Sequence, residues 1–404
     1  MILKLAWRNI WRNKRRSLIT IASIMVAIFL AIFMRSIQLG MYANMIRNVV
    51  GNYSGYVQVH AKGYWAEQSL NNGFEVDDDL TSKILAVKGV TNIVPRLSNF
   101  ALASAKDLTK GLNITGMDAQ KEAFMKPIED RLISGHVFRK ENEVVIGKKV
   151  AGYFKTSLGD TLVFIGQGYH GSNAAGKFVI SGVIDMKNPL LNQSTVLMDL
   201  KAFQNYLDAP NVVTNLVILK NEYTNETQLA HRLAQALDSN TYEVMDWHEM
   251  QPEIDQTIQV DSIGGLIMIA ILYMIITFGI FGTVLMMVQE RMYELGIMVS
   301  IGMKKLKLAA IIFLETILLS LMGVILGMIA VSPVVYYYHI NPIDLSNAGS
   351  KGIESFGFEP IIPALLDPSI YSTHGLIVLG IAMLIGFYPI WIILRLNPIK
   401  AMRA

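Results

Sequence analysis

Cysteine is absent from all 404 residues. That excludes disulfides, cysteine metal sites, thiol catalysis and the acylated N-terminal cysteine of a lipoprotein, and it leaves the redox compartment unreadable. Charge is scarce as well. Only 17% of residues are charged and 52% are hydrophobic, whereas soluble domains carry roughly 25% charged residues, so part of the chain belongs in lipid. The net charge of +3 is too small to point to nucleic acid, and no nucleic-acid partner is expected.

Clustered catalytic groups are lacking too. The seven histidines are scattered; His248-Glu249 lacks the second histidine of a zinc helix, and no Gly-x-Ser-x-Gly elbow occurs. The run Gly171-Ser172-Asn173-Ala174-Ala175-Gly176-Lys177-Phe178 nearly spells a phosphate-cradling loop. Phe178, however, stands where a magnesium-binding hydroxyl belongs, and the run leads into a strand, so a hairpin turn is expected. Asp77, Asp78 and Asp79 could bind a cation, although three consecutive acids more often make a solvated turn. No catalytic residue, cofactor site or metal site is therefore predicted in this chain, and an enzyme is not expected.

Long apolar runs are what the sequence does have. Lys4, Arg8, Arg12, Lys14, Arg15 and Arg16 precede the run 18–34, with Trp7 and Trp11 four apart, which suits an amphipathic helix at a cytoplasmic surface leading into a span. No small-x-small cleavage site follows Met34, so the span is expected to stay uncleaved, with Arg35 snorkelling outward. Residues 40–261 have soluble character: alternation at 55–60, 143–147, 161–165 and 177–184 predicts strands, and 227–237 an amphipathic helix. Further apolar runs at 263–288, 309–338 and 375–394 are each long enough to cross a bilayer.

The expected fold is an α-helical membrane protein with four transmembrane helices and a large mixed α/β extracytoplasmic domain between the first two. The predicted layout is a cytoplasmic amphipathic helix 1–16, span one 17–39, a periplasmic domain 40–261, span two 262–289, a cytoplasmic helix 290–305, span three 306–338, an outer loop 339–373, span four 374–395 and a tail 396–404. The outer loop sets Lys351 against Asp344, Glu354, Glu359 and Asp367; Arg395, Lys400 and Arg403 follow span four, which puts both termini inside. No internal repeat is visible, and four helices make a thin bundle, so a second copy is expected.

Between spans two and three lies the most distinctive stretch, Gln289 to Lys305, which opens Gln289-Glu290-Arg291-Met292-Tyr293-Glu294-Leu295-Gly296-Ile297. Glu290 and Glu294 are four apart, while Leu295, Ile297, Met298 and Ile301 can form an apolar face, which predicts a short interfacial helix ended at Gly302. Such a helix can act as a docking knob. Glu315 falls one to two turns inside span three, where a carboxylate is costly unless it pairs or reaches headgroup water, and both readings stand. Gly323 and Gly327 have the spacing that lets helices approach closely, packing being the preferred reading over bending. Pro389 marks an expected kink in span four.

These stretches together resemble permease subunits of the FtsX/MacB/LolC-LolE superfamily of ABC transporters, also called type VII. Four signatures carry the likeness: Arg8-Asn9-Ile10-Trp11-Arg12-Asn13-Lys14-Arg15-Arg16; Glu143-Val144-Val145-Ile146-Gly147 with Leu158-Gly159-Asp160; Arg291-x-x-Glu294-Leu295-Gly296-Ile297 and Ile301-Gly302 with Glu315, Gly323 and Gly327; and Asn397-Pro398-Ile399-Lys400-Ala401-Met402-Arg403. The resemblance implies that Glu290, Arg291, Glu294, Leu295, Gly296, Ile297, Ile301 and Gly302 couple to a separate cytoplasmic ATPase dimer, which would hold ATP and magnesium. It also implies a second permease copy or paralogue, contact with membrane lipid, and residence in the bacterial inner membrane.

Two positions depart from the family pattern. Val299 replaces a usual basic residue, whose contact Lys304 or Lys305 could supply, and Met186-Lys187-Asn188-Pro189 replaces a common Thr-Gly. The wording Ser54-Gly55-Tyr56-Val57-Gln58-Val59-His60-Ala61-Lys62-Gly63-Tyr64 in a permease without its own ATPase is most similar to the LolC/LolE side. That side implies release of lipoproteins from the inner membrane to a periplasmic carrier. The alternatives are a stand-alone MacB-type efflux or mechanotransmission permease, and then a membrane-anchored sensor or scaffold.

Overall fold

The computed structural model describes residues 2–345 and 359–397. Lys351 and Glu354 of the outer loop, and the signature residues 398–403, lie outside the described residues. The chain divides into two compact units, one formed by Met1–Ala43, Thr257–Asp344 and Ile361–Ala404, the other by Asn44–Gln256 and Leu345–Pro360.

In the first unit, four helices among the described residues are long and apolar enough to cross a membrane. An amphipathic helix Ile2–Arg12 comes first. After Asn13 the chain restarts as span one, Lys14–Ile46, and its helical path continues to Ser54. Span two, Pro252–Glu290, begins well before the apolar run because Pro252 is pre-set for a first helical turn and Glu253 and Asp255 favour the positive end of the helix dipole. Span three is Lys305–Ile340 and runs through Pro333. Span four, Pro368–Leu394, opens on Asp367, whose carboxylate accepts from the Ser369 N–H at 2.8 Å, and continues through Pro389. Ile24, Ile28 and Ile32 of span one meet Ile276 and Ile280 of span two, Val324 and Val331 of span three and Val378 of span four in one apolar core. Span two is the least covered, only 17% of its most apolar stretch being buried, which leaves a long lipid-type face.

The second unit is built on a ten-stranded mixed sheet. Its strands are β1 (Val57–Ala61), β3 (Val90–Ala105), β4 (Leu108–Met117), β5 (Leu132–Gly135), β6 (Glu143–Gly147) and β7 (Thr161–Gln167), then β8 (Asn173–Ile184), β9 (Thr195–Asp199), β11 (Asn215–Lys220) and β12 (Tyr242–Asp246). The short strands β2 (Phe74–Glu75) and β10 (Val212–Val213) pair separately. The order is β12-β1-β11-β3-β4-β9-β6-β8-β5, with β7 on β3 and β8. Pairs β4–β9 and β6–β8 are parallel and the others antiparallel. All four predicted strands fall within β1, β6, β7 and β8, apart from the turn residues that lead into β1. The predicted amphipathic helix is Glu226–Ala236, started by Asn225, whose side chain accepts from the Gln228 N–H at 3.0 Å.

Two sequence features find structural roles here. The phosphate-loop look-alike is mostly strand: Asn173 to Lys177 pair with Gln167 to Val163 of β7, and the turn lies earlier, where the Gly168 N–H donates to the Ser172 carbonyl at 2.7 Å. The expected turn therefore moves toward the N-terminus. In the acidic triplet, Asp77 caps the helix Asp78–Leu85 by accepting from the Leu80 N–H at 2.7 Å, and Asp79 pairs with Lys83 at 2.5 Å.

Candidate functional site

Span two ends at Glu290, and Arg291 leaves helical geometry (φ −98°, ψ 3°) before a new helix, Met292–Ser300, begins. Glu290 and Glu294 thus stand on either side of a helix break, not within one helix. The short helix closes on Gly302, at φ +103°, a left-handed conformation that suits glycine. There the Gly302 N–H donates to the Val299 carbonyl at 3.1 Å and the Met303 N–H to the Met298 carbonyl at 3.0 Å, a pair of bonds that satisfies the last carbonyls of the helix.

This helix has an inside and an outside. Leu295 is buried with Val288 of span two, Leu308, Ala309 and Ile312 of span three and Ile393 of span four, and Met298 and Val299 pack against the same cluster. Gly296 is buried and Ile297 half-buried. On the outside Tyr293 is 54% and Ile301 81% exposed. Ile301 therefore does not join the predicted inner face; with right-handed helical backbone and six residues beyond Leu295, it lies about 120° away around the helix. Lys305 spends its ammonium on the Leu394 and Leu396 carbonyls, at 3.2 and 2.7 Å, whereas Lys304 is exposed.

Arginines hold the segment. Arg291 donates to Glu315 at 2.8 Å, with the side chains 12% and 2% exposed, and reaches the Asn9 carbonyl at 3.4 Å. The Glu315 carboxylate is buried and paired, as a charge at this depth must be. Arg12 pairs with Glu294 at 2.5 Å, and Arg16 pairs with Glu290. The two arginines are four apart and so are the two glutamates, which makes two rungs between the N-terminal segment and the helix break. Sequence reasoning left Asn9, Arg12 and Arg16 out of the site; the four-residue spacing of Arg12 and Arg16, matching that of Glu290 and Glu294, was the available signal for the two arginines.

Gly323 and Gly327 lie where span three meets span one. A Cβ on Gly323 would come within 2.6 Å of Ile24, and one on Gly327 within 2.8 Å of Ile28. These distances leave no room for a side chain at either position.

In the second unit, Met186-Lys187-Asn188-Pro189 begins a helix, Pro189–Ser194, capped by Asn188. Beside it Asp185 accepts from Lys148 at 2.8 Å and Asn192 at 2.9 Å. Burial pushes the Asp185 carboxyl up, but these bonds and the Lys187 N–H outweigh it and bring it down to about 2. In the glycine turn of the second signature, the Gly159 N–H donates to the Ile180 carbonyl and the Ile180 N–H to the Asp160 carbonyl, both at 2.9 Å.

Two protein families match the chain: the FtsX-like permease C-terminal family over residues 266–398 and the MacB-like periplasmic core domain family over residues 17–236. Among solved structures, the chain is similar to the extracellular domain of the noncanonic ABC-type transporter YknZ from Gram-positive bacteria. That likeness has 15% identity, covers 48% of this chain and 100% of that one, and has a TM-score of 0.34. It is also similar to the periplasmic region of MacB from Actinobacillus actinomycetemcomitans, with 15% identity, 53% and 95% coverage and a TM-score of 0.34. The core-domain family alone spans more than half of the sequence, and with the C-terminal match it accounts for both units. The chain therefore belongs to the FtsX/MacB family of ABC transporter permeases, as a multi-pass membrane protein with a large α/β periplasmic domain between its first two spans.

Proposed function

We propose that this permease subunit takes its energy from a separate cytoplasmic ATPase dimer that grips the helix Met292–Ser300. The ATP and magnesium belong to that partner. The single observation behind the reading is the two-sidedness of this helix: Leu295 anchors it among three spans while Tyr293 and Ile301 project outward, an exposed apolar tip of the kind that fills a partner's pocket. Load on the tip passes through the Arg291–Glu315 pair to span three and through the Gly323 and Gly327 contacts to span one, which leads into the periplasmic domain. The membrane is the bacterial inner membrane and both termini are cytoplasmic, because the basic residues from Lys4 to Arg16 and Arg395 border the same side.

For the transported species we favour lipoproteins, released from the inner membrane toward a periplasmic carrier and the outer membrane by a pair of such permeases, identical or paralogous. The sequence 54–64 supports this reading. A MacB-type efflux or mechanotransmission permease is the alternative, favoured by the match of residues 17–236 to the MacB-like periplasmic core domain. To test the docking role, Glu294→Lys and Gly302→Trp are made in the complex and ATP hydrolysis is compared with transport. The expected result is hydrolysis uncoupled from transport with the complex still in the membrane; wild-type coupling in both variants would count against the role.

A further inference from the structure

Five neighbouring strands of the periplasmic domain, β1, β11, β3, β4 and β9, carry two unlike faces. On one face Val57, Val59, Leu216 and Ile218 pack against Leu229 and Leu233 of the helix Glu226–Ala236. The other face presents Gln58 and His60 of β1, Asn215 of β11, Ser98 of β3, Thr115 of β4 and Thr195 of β9 to a cleft of about 310 Å³. Gln58, His60, Asn215 and Thr195 are 5%, 1%, 7% and 1% exposed. A sheet face that merely met solvent would carry charges; this one carries buried amides and hydroxyls. The one charged side chain among the described residues lining the cleft, Arg96, is already neutralised by Glu122 at 2.5 and 2.8 Å.

These groups are fixed in place. Gln58 donates to the Ser54 carbonyl at 2.6 Å, Asn215 donates to the Gln58 amide oxygen at 2.9 Å, and the Thr115 hydroxyl lies 3.2 Å from the Tyr53 hydroxyl. His60 is the exception. Its Nδ1 lies 3.3 Å from the Thr214 carbonyl, which can only accept, so Nδ1 carries the proton and Nε2 is a lone-pair acceptor. Nε2 is buried and has no hydrogen-bond partner among the described residues. Burial pushes the imidazole down to about 4, so the ring is neutral at pH 7. Tyr64 stacks on it with centroids 5.3 Å apart, Trp65 stands 5.4 Å away, and both line the cleft.

The cleft thus offers donors and acceptors in mixture, aromatic surface and no net charge. A ligand matching it must donate and accept, be neutral and present an apolar face. Each of the five strands is hydrogen-bonded on both sides, so no free strand edge is available to pair with an extended peptide. We propose that the cleft binds a neutral saccharide, whose hydroxyls exchange hydrogen bonds with the accessible part of the sheet face at Ser98 and Asn113 while the C–H face of a sugar ring lies on Trp65.

The test uses the full chain in a detergent without a sugar headgroup. Saturation-transfer NMR is run with glucose, galactose, N-acetylglucosamine, maltose and chitobiose, and with triglycine as the peptide probe. At least one saccharide is expected to bind with a dissociation constant on the order of 1 mM, weakened about tenfold by Trp65→Ala and by Asn113→Ala. Asn113 lines the cleft but is exposed, so its variant should keep the parent's thermal unfolding and separates lost contact from lost fold. Absence of binding by every saccharide at about 50 mM, equal binding by both variants, or binding of triglycine in place of the sugars would overturn the proposal.

Discussion

Arg291 and Glu315 place opposite charges 2.8 Å apart with almost no access to water. Such a pair contributes little net stability against an apolar replacement, yet removing one partner strands the other, at a cost of about 3–5 kcal/mol. Arg291→Met is therefore expected to lower the melting temperature of the purified chain strongly, and Arg291→Met with Glu315→Leu to recover most of the loss. If the double variant melts no higher than the single one, the pair is not the reason the carboxylate is tolerated. His60 allows a prediction in the other unit. Its folded pKa is near 4, against 6.5 for a free imidazole, so between those values the unfolded chain binds more protons than the folded one. This contribution to stability is complete above about pH 6.5 and shrinks as pH falls toward 4, by up to about 3 kcal/mol. Thermal unfolding followed across that window should show the loss in the parent and a flatter profile in His60→Gln; parallel profiles would remove His60 as the cause.

The seam between spans one and three rests on Gly323 and Gly327, each facing an isoleucine with less space than a methyl needs. Gly323→Leu or Gly327→Leu should force the helices apart, cost about 1–3 kcal/mol and lower the melting temperature by several degrees; unchanged melting would mean the seam does not bear on the bundle. This spacing was legible in the sequence, as were the apolar runs and the period-two alternation that became β6, β7 and β8. The limits of the helices were harder to read. Span two begins at Pro252 and the span-one helix runs on to Ser54, because the added turns mix polar residues with apolar ones and carry no continuous hydropathy signal. The partners of Glu290 and Glu294 were hidden for another reason. Arg16 and Arg12 lie far away in sequence, and a hydrophobic pattern specifies which face is buried, not which charge meets which. The polar sheet face of the periplasmic domain was obscured similarly: Gln58 and His60 alternate with Val57 and Val59 as any half-solvated strand would, and only their burial sets them apart.

Under the proposed mechanism, the helix Met292–Ser300 is the pulling point, the Arg291–Glu315 pair and the glycine seam are the transmission, and the periplasmic domain that span one leads into is the working end. The Arg12–Glu294 and Arg16–Glu290 rungs tie the N-terminal segment to the same point, so under that mechanism movement of the short helix would bear on span one at its N-terminal end as well as at its seam with span three. Exposed pairs of this kind add little stability and are screened by salt. The central claim is that a separate ATPase drives this chain through the short helix. The most direct measurement is to isolate the complex from native membranes under mild conditions and identify every bound protein and lipid by mass spectrometry, for the parent and for Ile301→Asp. An ABC ATPase retained by the parent and lost with Ile301→Asp is the predicted result, and no ATPase with the parent, or equal retention by both, would contradict it.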